Sequence, residues 1–494
     1  MQRLTRICLV AAATALVAGP DIQSFGQSSG ASSAGGGGEP ANDPVQERLE
    51  RMQQELDNLR RDNQAMKNQI DDLHAKSDDT WLTQERAKEI RGLVEDVLAD
   101  ADTRASLLQS GVMAGWVDHF FLASADGRFK LVLQGEEQVR WIFNHHDLTP
   151  IGGQAPDGRH DRHGFENTRT RLTFSGYVFN ENFEYLVRGD FFGNRGAPGF
   201  FNLLDSWIRY VINDEWSIRA GQFKLPFNRE ELVSNEYQLA VERSLVNEEL
   251  NLGRSQGVEL EYHDNVNALS IAYSDGASAA FLGNPQQNTV WSAKGNDYAV
   301  AARYERLAAG TWGQFVDFTS PRSDQFGMLL GVGAQVQRGE NNVSANTREQ
   351  GSFGLTGDVS MELGGANAFL SFTHQYVDNA PGPVLKLYGV VAQLGVYVTP
   401  KWELFIRGEH MWVDGFELRD LNVITAGFNY YIEGHDLKWT TDFGLGLSPV
   451  ESFFASDLAG YRSDVTTISQ FPFPSRTVTS NHQFVIRTQF QLLF

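Results

Sequence analysis

From about residue 120 to residue 494, apolar and polar side chains alternate in short runs separated by polar turns. The last run, FVIRTQFQLLF, shows the pattern plainly. Phe484, Ile486, Thr488, Phe490, Leu492 and Phe494 fall on one parity; Val485, Arg487, Gln489, Gln491 and Leu493 fall on the other. Successive side chains of a strand point to opposite faces, so one face is apolar and its reverse mostly polar. Repeated over the region 118–494, the pattern predicts an all-β transmembrane barrel of about 16 antiparallel strands, oily outside and wet inside. The second strand is read over 169–178 and the last over 478–494. Asn213-Asp214-Glu215 and Gly364-Gly365-Ala366 read as tight turns, and 147–164, 225–252, 279–296 and 449–476 as long connections. Trp207, Tyr210, Trp216, Trp402, Trp412, Tyr430, Tyr431 and Trp439 lie near strand ends, as an interfacial aromatic belt requires.

Before the barrel the period changes. Val45, Leu49, Met52, Leu56, Leu59, Asn63, Met66, Ile70 and Leu73 alternate at spacings of four and three. This is an α-helical coiled coil over 45–75, with Asn63 as the polar a position that fixes register; a single surface helix is the alternative. The stripe Ile90, Leu93, Val94, Val97, Leu98 is broader and predicts an amphipathic helix over 76–115. Residues 20–44 are a Gly/Ser-rich linker. Residues 1–19, with Arg3, Arg6 and the apolar run from Ile7 to Val17, form a secretory signal peptide too short to span a bilayer.

Composition narrows the function. The only cysteine is Cys8, inside that signal, so the mature chain has no disulfide or thiol chemistry. A net charge of -21 argues against nucleic acid as a partner. No Ser/His/Asp arrangement, phosphate loop or zinc motif is present, and no enzyme activity or cofactor is expected. His145, His146, His160 and His163 share a loop with acidic residues and read as solvated rather than metal-binding.

The candidate site is a basic wall. Arg169 and Arg171 share one strand face with Thr173, opposite Leu172 and Phe174. Arg188 stands with Glu184 and Asp190, Arg209 with Asp205, and Arg219 opposite Trp216-side apolar residues. Charge facing lipid costs a few kcal/mol, so these side chains are expected in the lumen. A column of guanidinium groups can pass an anion from site to site. The same residues can instead form an acid–base mesh with Glu184, Asp190 and Asp205. The loop 225–252, flanked by Lys224 and Arg254 and carrying Arg229 and Arg243, is long enough to fold inward as a constriction or to lie outside as a lid.

This stretch carries a family resemblance. TRTRLTFSGYVFNENFEYLVRGDF, LLDSWIRYVINDEWSIRAGQFKLPFNREEL, ERS and GRSQGVELEY, running from Thr168 to Tyr262, resemble the phosphate-selective porins of the O and P type. The resemblance implies a trimeric outer-membrane channel with an inward-folded loop and a basic pore that takes small anionic solutes such as phosphate. The coiled coil lies outside the match and looks like the periplasmic extension of some porins. The chain departs from the family in its few barrel lysines, Lys130, Lys224, Lys294, Lys386, Lys401 and Lys438. A general or cation-preferring porin therefore stays open. So does a structural tether, with the barrel as anchor in outer-membrane lipid and the coil touching the cell wall.

Overall fold

The computed structural model describes residues 44–80, 112–146, 161–191, 201–277, 296–339, 351–378, 384–415, 420–448, 450, 456, 459–462, 465–470, 473–478 and 483–494. The signal, most of the linker and residues 81–111 of the second expected helix lie outside them. The chain separates into two units, Met1–Asp100 and Ala101–Phe494.

In the first unit, helix α1 runs Pro44–Thr80. Its apolar seam is left in solvent in the single chain: Met52, Leu56, Leu59, Met66 and Ile70 are each more than half exposed. The second unit begins with a hairpin, β1 (Val112–Val117) and β2 (His119–Ser124). Residues 112–115 are thus strand, where the apolar stripe predicts the end of a helix. Met113, Trp116 and Val117 offer the β-favouring apolar and aromatic types of a short strand instead.

Sixteen strands then close on themselves. They are β3 (Phe129–His146), β4 (Asp161–Val178), β5 (Phe183–Asp190), β6 (Asn202–Val211), β7 (Trp216–Lys224), β8 (Arg254–His263), β9 (Asn267–Ser274) and β10 (Asn296–Ala309). The circuit continues with β11 (Gly327–Gly339), β12 (Gly351–Glu362), β13 (Ala366–Asp378), β14 (Val384–Tyr397), β15 (Trp402–Asp414), β16 (Leu421–Glu433) and β17 (Leu437–Gly446). A small hairpin, β18 (Val465–Gln470) with β19 (Phe473–Val478), stands apart, and β20 (Gln483–Leu493) completes the ring. Each barrel strand pairs antiparallel with its sequence neighbour, and β20 pairs with β3 through Gln489 opposite Arg140. Below that pairing β2 takes over the same edge of β3, with Phe120 opposite Leu133.

Alternation holds around the wall. On β20, Gln483, Val485, Arg487, Gln489 and Gln491 are buried, while Phe490, Leu492 and Phe494 are exposed on the outside. On β11, Gln335 and Gln337 face in and Val332 and Val336 face out. The short turns follow from their sequences: Asn213 Oδ1 accepts from the amides of Glu215 and Trp216 at 3.0 and 2.9 Å, an Asx turn. Gly364 and Gly365 adopt φ of 67° and 108°, which other residues resist. Trp402 packs on Tyr430 and Trp216 on Tyr262 at the short-turn end, and Trp412 stacks on Tyr388 at the long-loop end.

Two further expectations are corrected by the structure. β4 begins at Asp161, eight residues before the predicted start. Pairing with β3 carries on as far as His145 opposite Asp161, held by an Arg140–Glu166 ion pair that sequence alternation does not reveal. Trp207 and Tyr431 face inward rather than joining the belt: Trp207 packs against the Phe223 cluster, and Tyr431 donates to Glu403 at 2.6 Å. Their parity with Asp205 and Asn429 decides this over their position near strand ends.

Candidate functional site

The lumen is occupied by residues 225–253. This segment leaves β7, forms short helix α2 (Arg229–Leu232), a 3-10 turn at Asn235–Tyr237 and short helix α3 (Leu245–Leu250), then enters β8. Most of its apolar residues pack on an apolar area of the inner wall. Val233, Leu239, Ala240, Leu245, Val246 and Leu250 pack on Phe369, Leu387, Val391, Phe405, Met411 and Val423 from β13–β16. Glycines make room for it: a side chain at Gly389 would collide with Val246 and Leu250.

Polar groups fix the rest. Glu242 is clasped by two wall arginines, Arg140 at 2.7 Å and Arg169 at 2.7 Å. Burial alone would raise its carboxyl, but Arg169 and Arg140 outweigh burial and hold it at about 2. Glu230 brackets Ser244 through its amide and hydroxyl, both at 2.6 Å, while the Ser244 hydroxyl caps α3 by accepting from Asn247 N at 2.9 Å. Asp442 accepts from Val241 N at 3.0 Å and Glu409 from Leu245 N at 2.7 Å. Lys438 donates to the carbonyls of Glu236 and Gln238 at 2.9 and 3.2 Å. Arg229 and Arg243 are buried and used within this scaffold. Arg243 donates to the carbonyls of Glu230 and Val233 and lies 3.4 Å from Glu231.

The remaining candidates line up on β4–β8. Arg171 bonds Asp190 at 2.8 Å and Glu136 at 3.3 Å. Arg188 donates to Thr173 at 3.0 Å and lies 3.9 Å from Asp205. Arg254 grips Asp205 with two nitrogens, at 2.8 and 3.2 Å. Lys224 lies 3.6 Å from Glu231. Arg209 and Arg219 are directly opposite across β6 and β7. Glu261 reaches both, at 2.8 and 3.6 Å; Glu259 bonds Arg219 at 2.5 Å, and Glu184 bonds Arg209 at 3.3 Å. Their guanidinium groups sit 5.0 and 5.8 Å from the Trp207 ring. The two readings from sequence meet here: the basic residues share one inner wall, and each is threaded into an acid–base mesh. On this wall Arg209 and Glu184 stay partly open, at 26% and 38%, while Asp190, Asp205 and Glu259 are buried, as are the side chains under the loop on β15–β17. Arg169 belongs with the closed set, 4% exposed against Glu242.

Sequence reading did not single out Arg140, Arg303 and Arg407, and placed Arg487 on the inner parity without giving it a role; these arginines anchor the loop and the wall beside it. Arg487 bonds Asp442 at 2.7 Å, Arg303 bonds Asp358 at 2.8 Å, and Arg407 bonds Glu409 at 2.9 Å. Each sits at an inner-facing parity of its strand, which was the available signal. The residues 310–326 at the short-turn end were missed as well. Their 3-10 turn, Trp312–Val316, leads to Phe318, whose ring lies 4.8 Å from Phe369 inside the barrel. His145 and His146 point to opposite faces of β3, so the pair does not converge on one ligand.

Comparison with known proteins places this geometry. The model of the family described as phosphate-selective porin O and P matches residues 145–445. An uncharacterized protein of Aquifex aeolicus (strain VF5) is 26% identical over 251 residues, 47% of this chain and 60% of that protein. The chain thus spans about three fifths of the curated relative it matches. Among solved structures, the anion-selective porin from Comamonas acidovorans is 11% identical and covers 74% of this chain and 99% of its own, with a TM-score of 0.50. The outer membrane channel DcaP of Acinetobacter baumannii is 13% identical over 77% of this chain and 100% of its own, with a TM-score of 0.49. The likeness to the Comamonas porin is one of fold.

Proposed function

The chain belongs to the family of phosphate-selective porins O and P, and from that premise we propose an outer-membrane diffusion channel for small hydrophilic solutes, anions such as phosphate among them. The observation that carries this reading is the division of the lumen. Residues 225–253 fill it over β13–β17, and the charged side chains that stay partly open, Glu184, Arg188 and Arg209 among them, lie along β4–β8. Solutes cross in the strip between. There Arg171, Arg188, Arg209, Arg219, Lys224 and Arg254 offer successive cationic steps. Their carboxylate partners keep each step weak enough to release an anion, which conduction requires as much as binding. Transport is passive, and the short-turn end faces the periplasm.

One observation favours a second reading. At the level of Arg209 and Arg219, three carboxylates (Glu184, Glu259 and Glu261) face two guanidinium groups. A mesh of that sign gives a general or cation-preferring pore. The zero-current potential of the reconstituted protein across a salt gradient decides between them by its sign, and phosphate block of chloride current tests phosphate itself.

The porin is a homotrimer in this proposal, with α1 as its coiled coil. The seam of Met52, Leu56, Leu59, Met66 and Ile70 is exposed in one chain and buried between copies, with Asn63 setting the register. Crosslinking of the intact protein before and after Leu56→Asp and Leu59→Asp checks it: loss of the trimer band supports the coil, and an unchanged band removes it.

A further inference from the structure

Two segments enter the barrel from opposite ends, and they meet at one side chain. From the long-loop end, residues 225–253 bring down Arg229, the first residue of α2, which is 6% exposed. From the short-turn end, residues 310–326 turn inward instead of joining β10 to β11 directly. That strap is moored across the mouth. Trp312 Nε1 donates to Asp264 O at 2.9 Å, and Ser320 O accepts from Gly365 N at 3.0 Å. Arg322 donates to Tyr397 O at 2.8 Å, and Asp317 lies 3.2 Å from His435 Nε2. Four different turns at that end therefore hold it.

The Arg229 guanidinium joins strap, loop and wall at once. Nη2 donates to Phe315 O of the strap at 2.6 Å, and Nε donates to Ser360 Oγ of β12 at 2.8 Å. Nη1 lies 3.8 Å from Glu305 of β10. The guanidinium carbon lies 5.8 Å from the centre of the Phe315 ring and 5.6 Å from that of Phe318, so the strap also offers it aromatic surface. Phe318 belongs to the same apolar cluster as Val233, Leu239 and Leu245 of the loop. A fork of fixed donors near aromatic rings is a geometry that arginine fills and lysine fills only in part.

We propose that Arg229 is a positioning residue that pins the luminal loop to the short-turn strap, so that the aperture of the channel is set from both ends of the barrel. The assignment rests on the reading of the chain as a channel. It removes Arg229 from the anion path: its charge is spent inside the scaffold, and the solute never meets it. Released from the pin, α2 loses its hold on β12 and the strap, and the loop lifts toward the long-loop end.

The test is single-channel recording of the full-length protein in planar bilayers, with liposome swelling by sugars of graded size, on wild type, Arg229→Gln, Arg229→Lys and Phe318→Ala. Folding of each is checked by the heat-dependent shift of the barrel on a denaturing gel. The proposal expects Arg229→Gln and Phe318→Ala to raise conductance, add open-state noise and admit larger sugars. Arg229→Lys restores part of the wild-type behaviour, and the zero-current potential stays the same throughout. Should Arg229→Gln fail to fold, Phe318→Ala, which leaves the charge in place, decides alone. Wild-type aperture in folded Arg229→Gln and Phe318→Ala overturns the pin. A shifted potential at unchanged aperture also overturns it, because Arg229 would then face the solute. If the wild type does not conduct at all, the channel reading itself has failed.

Discussion

Glu242 ties the luminal loop to two wall arginines, and Glu242→Gln tests that attachment with little change of shape. The side chain is 2% exposed and lies between Arg140 and Arg169, both also buried. Its carboxyl is held at about 2 against an ordinary 4.5. At about 1.4 kcal/mol for each tenfold, that difference corresponds to roughly 3 kcal/mol of attachment. The same order is expected when one partner of a buried ion pair is removed, about 3–5 kcal/mol. Glutamine keeps one acceptor for Arg169 and leaves Arg140 with Glu166, so the lower figure is the better guide. The loop should then open a few hundred times more often, by the same conversion. The assay is hydrogen exchange by mass spectrometry on the detergent-solubilised protein, read at Val241 and Leu245, whose amides bond to Asp442 and Glu409. Exchange at these amides should rise by about that factor while strand amides of β13–β16 stay protected. Unchanged exchange at 241–250 in the variant would refute the clasp. The wild type offers a matching pH test. A carboxyl lowered in the folded state contributes stability above its ordinary value and loses it as pH falls through the folded one. Protection of the loop should therefore be full above about pH 4.5 and fade toward pH 2.

Gly389→Val should push Val246 and Leu250 off the wall, raising conductance and loop exchange while the barrel still forms; an unchanged channel would mean that the loop does not rest there. Ser244→Ala removes the cap of α3 and the hydroxyl that Glu230 brackets, at a cost of about 1 kcal/mol to loop docking, visible as faster proteolysis within 241–250. Phe490→Arg puts charge on the lipid face beside Trp439 and should cost about 2–4 kcal/mol of folding free energy in bilayer refolding, less near the interface. Gln489→Arg, on the inner parity of the same strand, should spare insertion, and equal damage from both would contradict the assigned faces.

The strands were legible because burial on one face imposes a period of two, and a one-residue slip would turn every side chain over. Parity alone put Arg171, Arg188, Arg209 and Arg219 on one wall and separated Phe490 from Gln489. What it missed has physical causes. Trp207 and Tyr431 follow their parity and not their distance from the strand end. The extra length of β4 depends on Arg140 meeting Glu166, a contact made across the β3–β4 hairpin. The strap at 310–326 alternates with neither period, and Phe315 and Phe318 acquire a meaning only once the barrel brings Phe369 beside them. The loop anchors were hidden most completely. Glu242 meets Arg140 and Arg169 across 102 and 73 residues of sequence, and Arg407 reaches the Glu242 carbonyl across 165. No local pattern records such pairs.

The account stands or falls on conduction along the β4–β8 wall. The most direct measurement is the zero-current potential of the purified protein in a planar bilayer under a potassium chloride gradient, for wild type and for Arg209→Ala with Arg219→Ala. The account predicts stepwise conductance, anion preference, block of chloride current by phosphate, and a shift toward cations in the double variant. Absence of conductance in the wild type, or a potential indifferent to both arginines, would contradict it.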